Sequence, residues 1–502
     1  MRMPATRKRA VAAFVAGALP VFSFPAPALW WFAYVALVPW LLLLRTAPTG
    51  RRAAFEGWLG GTGFLIAVHS WLVPNLHVFI VLLAALLGLL WAPWGWLVRA
   101  LLGAAPSAWR AALAVAAVPS GWLMIELVRS WQGLGGPWGL MGASQWQVPP
   151  ALRLASVGGV WLVSLLVVAV NTAVTAAIAL PRARLAGIVA VLLCALVTGA
   201  ASAWAPRPQV RGHARIAVVQ PGVIAGVDRR LAREEELTRA LAGQRLDLVV
   251  WGESSVGEDL YARPGLTADL AALSRAVGAD LLVNVDARRT GATGSDGGIY
   301  KSSVLIGPRG LTGQRYDKMR LVPFGEYVPL RSVLGWVTSV GRAARENRLR
   351  GTHQVVMELP GGGPRIGPLI CFETAFPDMS RNLVRDGAQV LVAQSSTSTF
   401  QDSWAPAQHA SLGALRAAET GRSMVHATLT GISAAYAPDG APVGRRLPVH
   451  SSTAEVYDVP VATGTTPFVR YGDWAVYGAL GVLVALGATV GVRRFSGPGR
   501  GR

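Results

Sequence analysis

The sequence predicts an α-helical membrane bundle of about eight transmembrane helices that carries one large α/β domain outside the membrane. Two observations support this fold class. Long apolar runs are concentrated before Trp204, with one more after Trp474, and about 20 apolar residues are enough to cross a bilayer. Between them, short apolar runs alternate with amphipathic stretches, which is typical of strands and helices in a layered α/β domain.

The apolar runs give the order of the predicted membrane helices. Residues 1–22 begin like a signal peptide, but a second run from Leu29 to Leu44 follows at once, so we expect an uncleaved helical hairpin. Further spans are predicted at 57–73, 77–100, 109–128, 153–180, 183–204 and 472–492. The predicted domains are a transmembrane domain of about seven helices (1–205), an α/β domain (211–468), a last helix (472–492) and a basic tail (493–502).

The basic residues indicate the orientation of the chain. The formal net charge is +20, which could also suggest a nucleic-acid-binding protein. However, the arginines cluster in every second loop, for example at Arg51, Arg182 and Arg494. This alternation is the positive-inside pattern, so nucleic-acid binding is set aside. We expect a multi-pass protein of the cell (inner, cytoplasmic) membrane, with both termini in the cytoplasm and the α/β domain on the outer side.

A loop rich in Gly, Pro and Trp lies between the fifth and sixth predicted spans, at residues 135–146. It follows Glu126 and Arg129, which are three residues apart on a helix and could neutralise each other near its outer end. The loop could form an interfacial platform under the outer domain. It could equally be an ordinary aromatic belt at the membrane surface.

Strands and helices of the α/β domain can be placed from its apolar runs. Strands are predicted at 215–221, 247–251, 281–285 and 390–393, and helices at 228–242 and 266–277. The domain has no Gly-rich phosphate loop, no CxxC pair and no HExxH motif, so no cofactor or metal is expected. His69 and His77 lack acidic or cysteine neighbours and are assigned to the membrane interface. Cys194 and Cys371 are too far apart in sequence to indicate a disulfide framework.

Three residues at strand ends or in the following loops carry suitable chemistry for covalent catalysis. Cys371 directly follows the apolar run 367–370, Glu253 follows the predicted strand 247–251, and Lys318 lies in the segment 316–327. A thiol needs a base before it attacks a carbonyl, and Glu253 would be that base. Lys318 would stabilise the charge that develops on oxygen. Each residue alone is more often a solvated charge or a small buried side chain, but the three together are harder to explain in that way.

Glu253, Lys318 and Cys371, in this chain order, resemble the Glu-Lys-Cys triad of the nitrilase, or carbon–nitrogen hydrolase, superfamily. With the membrane spans, the chain more specifically resembles the apolipoprotein N-acyltransferases, in which such a domain lies between the last two transmembrane helices. The likeness covers nearly the whole chain, and its motifs lie at 126–129, 321–329, 408–409, 416–422 and 430–434. It implies that the α/β domain is a nitrilase-like αββα sandwich.

The resemblance implies roles for further residues. Glu326 and Glu373 would be supporting carboxylates that arrange the triad and the substrate, together with Phe372. Several positions depart from the family pattern. Lys301 stands where asparagine is common, Phe372 replaces a frequent tyrosine, His426 and Leu429 replace a usual arginine and asparagine, and residues 396–401, including Ser396, Thr397 and Thr399, replace an Asn-Asp-Ala-Trp-Phe-Gly stretch.

The resemblance also implies a two-stage acyl transfer. Cys371 would take a fatty acyl chain from a membrane phospholipid as a thioester, and the α-amino group of the diacylglyceryl-cysteine of an apolipoprotein would receive it. The expected partners are therefore the phospholipid, the apolipoprotein and the bilayer, with the chain acting as a monomer. Candidate contacts for the acyl chain are Phe324, Val333, Leu334, Trp336 and Val337, and residues 331–350 are predicted to form a mobile lid.

Two other functions stay open on the sequence alone. One is a membrane-anchored nitrilase-like amidohydrolase that uses water as the second acceptor. The other is a non-catalytic membrane scaffold for a partner enzyme, which the departures at 396–401 make conceivable. A transporter is less well supported, because charged pairs within the apolar runs are scarce.

Overall fold

The computed structural model describes residues 5–289, 298–329, 331–334 and 346–495. Its N-terminal part is helical. The helices are α1 (Ala5–Ala18), α2 (Val38–Arg45), α3 (Gly50–Val68), α4 (Val73–Leu76), α5 (Phe79–Gly88), α6 (Trp91–Leu102), α7 (Ala108–Arg129), α8 (Pro149–Ala179) and α9 (Arg184–Trp204).

Fewer helices than predicted have the length and apolar character of a membrane span. Within the described ranges, three pass: α7, α8 and the stretch Pro181–Trp204, with a fourth if α5 and α6, bent by 42°, form one span. In the described part of the predicted hairpin, residues 5–44, short helices and 3-10 turns are present, because prolines such as Pro20 and Pro25 interrupt it. The bundle of about eight spans therefore remains a prediction.

Helix α8 is broken in its first half. Gly158 and Gly159 have non-helical backbone angles, and φ of Gly159 is +70°. A side chain at Gly159 would collide with the ring of Phe468, 2.5 Å from its Cβ position. The break leaves the Val160 N–H without a helical partner, and Glu419 accepts a hydrogen bond from it at 2.6 Å. The α/β domain thus caps the second half of a membrane helix.

The rest of the described chain forms the α/β domain and the last helix. The strands are β1 (Gln209–Gln220), β2 (Leu248–Trp251), β3 (Asp280–Arg288), β4 (Ile299–Gly307), β5 (Gly310–Asp317), β6 (Ile366–Ile370), β7 (Val390–Ser395), β8 (Ser423–Thr428), β9 (Ser433–Tyr436), β10 (Pro442–Leu447) and β11 (Thr453–Thr463). The helices are α10 (Val227–Arg239), α11 (Pro264–Val277), α12 (Arg331–Leu334), α13 (Pro377–Arg385), α14 (Ala405–Thr420), α15 (Pro467–Tyr471) and α16 (Trp474–Phe495).

The described strands form two sheets that pack face to face. One has the order β11-β1-β2-β3-β4-β5 and the other β10-β9-β8-β7-β6. Helices α10 and α11 contact the first sheet, and α13 and α14 contact the second. Between the sheets, β1 and β2 of the first contact β8 of the second. Because the central strands are buried on both faces, they read in sequence as continuous apolar runs. The strands expected at 215–221, 247–251, 281–285 and 390–393 correspond to β1, β2, β3 and β7.

Candidate active site

The nucleophile candidate lies at the end of a buried strand. Cys371 follows β6 directly and begins the 3-10 turn Cys371–Ala375. Its φ is +53°, in the left-handed region that a residue with a Cβ rarely adopts and that costs about 1 kcal/mol or more. The chain changes direction at this turn, and Sγ of Cys371 lies 3.9 Å from the Ser396 carbonyl oxygen. A strained residue held by a rigid strand is a frequent feature of functional sites.

Glu253 and Lys318 meet in the interior, as the sequence predicts. Glu253 lies two residues beyond β2, and Lys318 follows β5 directly. The Lys318 Nζ donates to Oε1 of Glu253 at 2.9 Å and to Oε1 of Glu326 at 2.8 Å. The Lys318 side chain is 1% exposed and that of Glu253 is 3% exposed. A buried ammonium shared by two carboxylates holds all three side chains in place.

Lys301 is a member of this cluster that the sequence did not place there. Its Nζ lies 3.0 Å from Oε1 of Glu253 and 3.2 Å from Oε1 of Glu326. Asp286 on the paired strand β3 is 3.7 Å away, because Lys301 and Asp286 are register partners in the β3–β4 pair. The departure at position 301 therefore puts a second ammonium group in the site.

The charges of the cluster shift the pKa values of its members. Burial raises the pKa of Glu253, but Lys301 and Lys318 outweigh it and lower the value to about 2. For Lys318, burial lowers the pKa, while Glu253 and Glu326 raise it well above its ordinary value. Burial and the Glu253 charge raise the pKa of the Cys371 thiol to about 12, although Lys318 opposes them. In the resting site the sulfur therefore carries its proton, beside an ionised carboxylate and two ammonium groups.

Glu373 connects the nucleophile turn to the lysine loop. Its Oε2 accepts from the Ile370 N–H at 2.8 Å. Its Oε1 accepts from the Tyr316 hydroxyl at 2.7 Å and from the Met319 and Arg320 N–H groups at 2.7 and 3.0 Å. The side chain is fully buried. These bonds join the turn that begins with Cys371 to the loop that contains Lys318.

A histidine to which the sequence analysis assigned no role contacts the backbone of Cys371. The His409 Nε2 is 3.0 Å from the Cys371 carbonyl oxygen, and burial lowers the pKa of His409 to about 4. The ring of His426 packs against it with 4.8 Å between ring centroids. A neutral imidazole can donate to the carbonyl, so His409 supports the backbone of the turn.

The Gly-, Pro- and Trp-rich loop contacts the nucleophile turn. A Cβ at Gly136 would lie 2.5 Å from the Phe372 ring, and the Trp138 Nε1 donates to Oε1 of Gln408 at 2.8 Å. Arg129 donates to the Trp138 and Gly139 carbonyls at 2.5 and 2.7 Å. These contacts favour the platform over the aromatic belt.

Glu126 also holds this loop. Its Oε1 accepts from the Met141 N–H at 2.7 Å and from the Trp122 Nε1 at 2.9 Å. Each of the two charged residues therefore bonds to the loop or its own helix rather than pairing directly with the other.

The segment 396–401, which differs from the family pattern, lies beside Cys371 and contacts the N-terminal helical part. Ser396 Oγ is 3.2 Å from Thr430 Oγ1, and the Thr397 N–H donates to the Thr430 carbonyl at 2.8 Å. The Leu429 N–H donates to Ser395 O at 2.9 Å. The ring of Phe400 meets that of Trp71, with 4.9 Å between centroids. The altered Ser396 and Thr397 thus contact the α/β domain, whereas the contact with the helical part is made by Phe400, which matches the family stretch.

The expected acyl-chain contacts are only partly described. Phe324 lies in the lysine-to-glutamate segment with φ of +63°. Trp336 and Val337 lie outside the described residues, as do the side chains of Val333 and Leu334 and most of the expected lid at 331–350. Within the described ranges, no three His, Cys, Asp or Glu side chains are grouped as metal ligands would be.

Comparison with known proteins shows the family. Residues 16–173 match the apolipoprotein N-acyltransferase N-terminal domain, and residues 215–458 match the carbon-nitrogen hydrolase family. An apolipoprotein N-acyltransferase of Azotobacter vinelandii is 32% identical, over 93% of this chain and 92% of its own. One of Pseudomonas aeruginosa is 31% identical, over 94% of both chains. An amidase structure from Nesterenkonia sp. covers 52% of this chain and 94% of its own at 19% identity, with a TM-score of 0.35. The chain therefore belongs to the apolipoprotein N-acyltransferase family.

Proposed function

We propose that this protein transfers a fatty acyl chain from a membrane phospholipid to the α-amino group of the diacylglyceryl-cysteine of an apolipoprotein. The observation that carries the proposal is the buried Lys318 ammonium, which is shared by Glu253 and Glu326 and acts on the charge of Cys371. Family membership supports the reaction class, and the geometry supports Glu253, Lys318 and Cys371 as the residues that perform it.

In the first stage, Cys371 attacks the ester carbonyl of the phospholipid. The thiol proton passes to Glu253 as the sulfur–carbon bond forms. Charge develops on the carbonyl oxygen, and the Lys318 ammonium and a backbone N–H of the turn stabilise it. Glu253 then passes this proton to the leaving oxygen, so that lysophospholipid departs as an alcohol, Glu253 is again a carboxylate, and the acyl group remains on sulfur as a thioester.

In the second stage, the amine of the apolipoprotein attacks the thioester carbonyl. Glu253 takes a proton from the attacking nitrogen and returns it to the departing sulfur, so that Cys371 is again a thiol. The product is an amide, and no cofactor is needed to balance the reaction. Glu326 and Glu373 hold Lys318 and the turn in place.

The resting pKa values fit a nucleophile that is activated only by substrate. With the Cys371 thiol near pKa 12 and Glu253 near 2, a free thiolate is disfavoured. We infer that proton transfer and bond formation occur together, because negative charge moves from sulfur to the carbonyl oxygen beside Lys318. Because the sulfur stays protonated until the lipid carbonyl is in place, the thiol is protected from side reactions in the absence of lipid.

The membrane part would bring the two lipid-anchored substrates to the site. The platform loop packs against Phe372, next to the nucleophile, so a lipid at the membrane surface is close to Cys371. Holding enzyme and substrates in one layer raises their effective concentration. We place the α/β domain on the outer side of the inner membrane with both termini in the cytoplasm. One chain supplies the whole cluster, so a monomer suffices.

The proposal is tested by transfer to a defined acceptor. Purified full-length protein would be incubated with a phospholipid and a diacylglyceryl peptide, and the N-acylated peptide would be measured by mass spectrometry. We expect acylated peptide with the wild type and none with Cys371→Ala. Fatty acid released without acylated peptide would favour the amidohydrolase-like alternative. Neither acylated peptide nor released fatty acid from the purified wild type, together with unchanged function of Cys371→Ala in cells, would favour the scaffold.

A further inference from the structure

Three arginines meet at a cavity that the proposed reaction does not use. The cavity has a volume of about 390 Å³ and is lined by Arg385, Arg422 and Arg470, with Thr465 between them. None of its lining residues belongs to the cluster around Cys371. Arg385 is the last residue of α13, about 12 Å along that helix from Pro377, which follows the nucleophile turn. The volume lies within the range of small-molecule sites, about 300–1,000 Å³.

Arg422 is a buried cation without an anionic partner in the described structure. It is 8% exposed. Its guanidinium donates to the carbonyl oxygens of Ala388, Gly421 and Gly464 at 3.1, 3.0 and 2.8 Å. Burial lowers the pKa of Arg422. Backbone carbonyls satisfy part of its hydrogen-bonding capacity but do not neutralise its charge.

Arg385 and Arg470 add two more unneutralised charges. The Arg385 Nε donates to Val469 O at 2.7 Å and its Nη2 to Arg470 O at 3.2 Å. The Arg470 guanidinium lies over the ring of Tyr471, 5.4 Å from its centroid. Across the described ranges, no carboxylate pairs with either one.

Two carboxylates on neighbouring helices are already paired elsewhere. Glu419 pairs with Arg416 at 2.8 Å, and Asp473 pairs with Arg381 at 2.9 Å. Three arginines therefore line the cavity, and no salt bridge between described residues neutralises any of them.

The surroundings of the cavity have the features of a membrane surface. Its α15 wall adjoins the break in α8, because a Cβ at Gly159 would lie 2.5 Å from the ring of Phe468 in α15; at the start of α16, Trp474 Nε1 also donates to Val157 O at 2.9 Å. From Val160 to Ala179, α8 has about the 20 residues needed to cross the hydrocarbon core, so the break marks a membrane surface. Tyr471, Trp474 and Tyr477 are 62%, 40% and 69% exposed there. Exposed aromatic rings of this kind are typical of the headgroup region.

We propose that this cavity binds the phosphate group of an anionic phospholipid at the membrane surface. Guanidinium groups suit phosphate because their paired N–H donors match two of its oxygens. The bound headgroup would neutralise Arg422 and attach the α/β domain to the bilayer next to the entry of α16. The inference needs the membrane location but not the acyl-transfer chemistry, and the phospholipid bound here is not consumed.

The test uses the full-length protein in phosphatidylcholine nanodiscs that contain a small fraction of phosphatidylglycerol with a photoreactive headgroup. After illumination, labelled peptides would be mapped by mass spectrometry. We expect labelling of the segments that hold Arg385 and Arg470. The double variant Arg385→Gln/Arg470→Gln should lose that labelling at least tenfold, since each arginine contributes a charged hydrogen bond to the phosphate. Arg245→Gln, an exposed arginine of the α/β domain, changes the net charge and should leave the labelling unchanged.

Further arms separate the sources of the phosphate. If millimolar inorganic phosphate reduces the labelling, the site binds free phosphate as well as lipid. If it does not, the site binds the phosphate only as part of a lipid headgroup in the membrane. The Arg470 side chain makes no described hydrogen bond, so Arg470→Gln alone should fold. Its labelling can be measured if the double variant does not fold. Wild-type labelling of these segments in the folded variants would overturn the proposal. Peptide acylation by the same samples shows independently whether the proposed function holds.

Discussion

The Lys301 ammonium lies 3.0 Å from Oε1 of Glu253, the same carboxylate oxygen that Lys318 contacts at 2.9 Å. Two cations therefore hold the proposed base in its ionised form. Lys301 is 14% exposed at its side chain, whereas Lys318 is 1% exposed. Lys301 thus occupies the more open side of the cluster.

Replacing Lys301 by Asn should move the loss of activity at low pH into a measurable range. Without this ammonium, the pKa of Glu253 should rise from about 2 towards its ordinary range, because burial then acts against fewer positive charges. A base with a raised pKa is protonated, and inactive, at a higher pH. As the pH is lowered, kcat/KM should therefore begin to fall at a higher pH in Lys301→Asn than in the wild type. Lys301→Arg keeps the charge and serves as the control; coincident acid limbs in the wild type and Lys301→Asn would contradict this role.

Replacing Gly136 by Ala should disturb the site through Phe372. Gly136 has φ of +73° and no room for a Cβ, which would lie 2.5 Å from the Phe372 ring, whereas the adjacent Gly135 has φ of +105° and nothing within 4 Å. Both alanine variants bear a backbone penalty of about 1–2 kcal/mol, but only Gly136→Ala displaces the ring beside Cys371. We expect acyl transfer to fall much further in Gly136→Ala than in Gly135→Ala. Equal activity of the two variants would show that the platform contact has no catalytic consequence.

Replacing Glu373 by Gln should lower both stability and activity. The carboxylate accepts four hydrogen bonds, and the amide nitrogen of Gln cannot accept any of them. At least one buried N–H is then left without a partner, at a cost of about 1–3 kcal/mol. Thermal unfolding should show a lower Tm than for Glu358→Gln, a substitution of an exposed glutamate. Matching Tm values for these two variants would mean that the turn does not depend on Glu373.

Glu419 should make stability depend on pH. Burial raises its pKa from 4.5 to about 7, so between these values the folded state holds a proton that the unfolded state has lost. The free energy of unfolding should therefore decrease as pH rises through this range. Glu419→Gln keeps an acceptor for Val160 N–H and should flatten this part of the Tm-versus-pH curve. Glu236→Gln, an exposed position 67% open at its side chain, should keep the wild-type slope; an unchanged slope in Glu419→Gln would refute the assignment.

The sequence could place the strands that carry the candidate site, because two of its residues follow recognisable apolar runs. β2 and β6 are fully buried, so their apolar runs predicted the positions of Glu253 and Cys371. It could not place Lys301, because that contact depends on the register of β4 against β3. The burial pattern of β5 is intermediate along most of its length, and neither β4 nor β5 was predicted.

The membrane part was harder to predict than the α/β domain. A hydrophobic run shows that a segment is apolar, but it does not show where the helix is interrupted. Gly158 and Gly159 break α8, and α5 and α6 bend by 42° within one predicted span. The contact of Phe400 with Trp71 joins residues far apart in sequence, and no local pattern indicates it.

The most direct test of the account is the mass of Cys371 after exposure to lipid alone. Full-length protein would be incubated with a phospholipid of one defined acyl chain, without acceptor, and then digested and measured by mass spectrometry. We expect the Cys371 peptide to gain the mass of one acyl group, to lose it on addition of a diacylglyceryl peptide, and to stay unmodified in Glu253→Gln. An unmodified Cys371 in a preparation that nevertheless acylates the peptide would contradict the thioester mechanism.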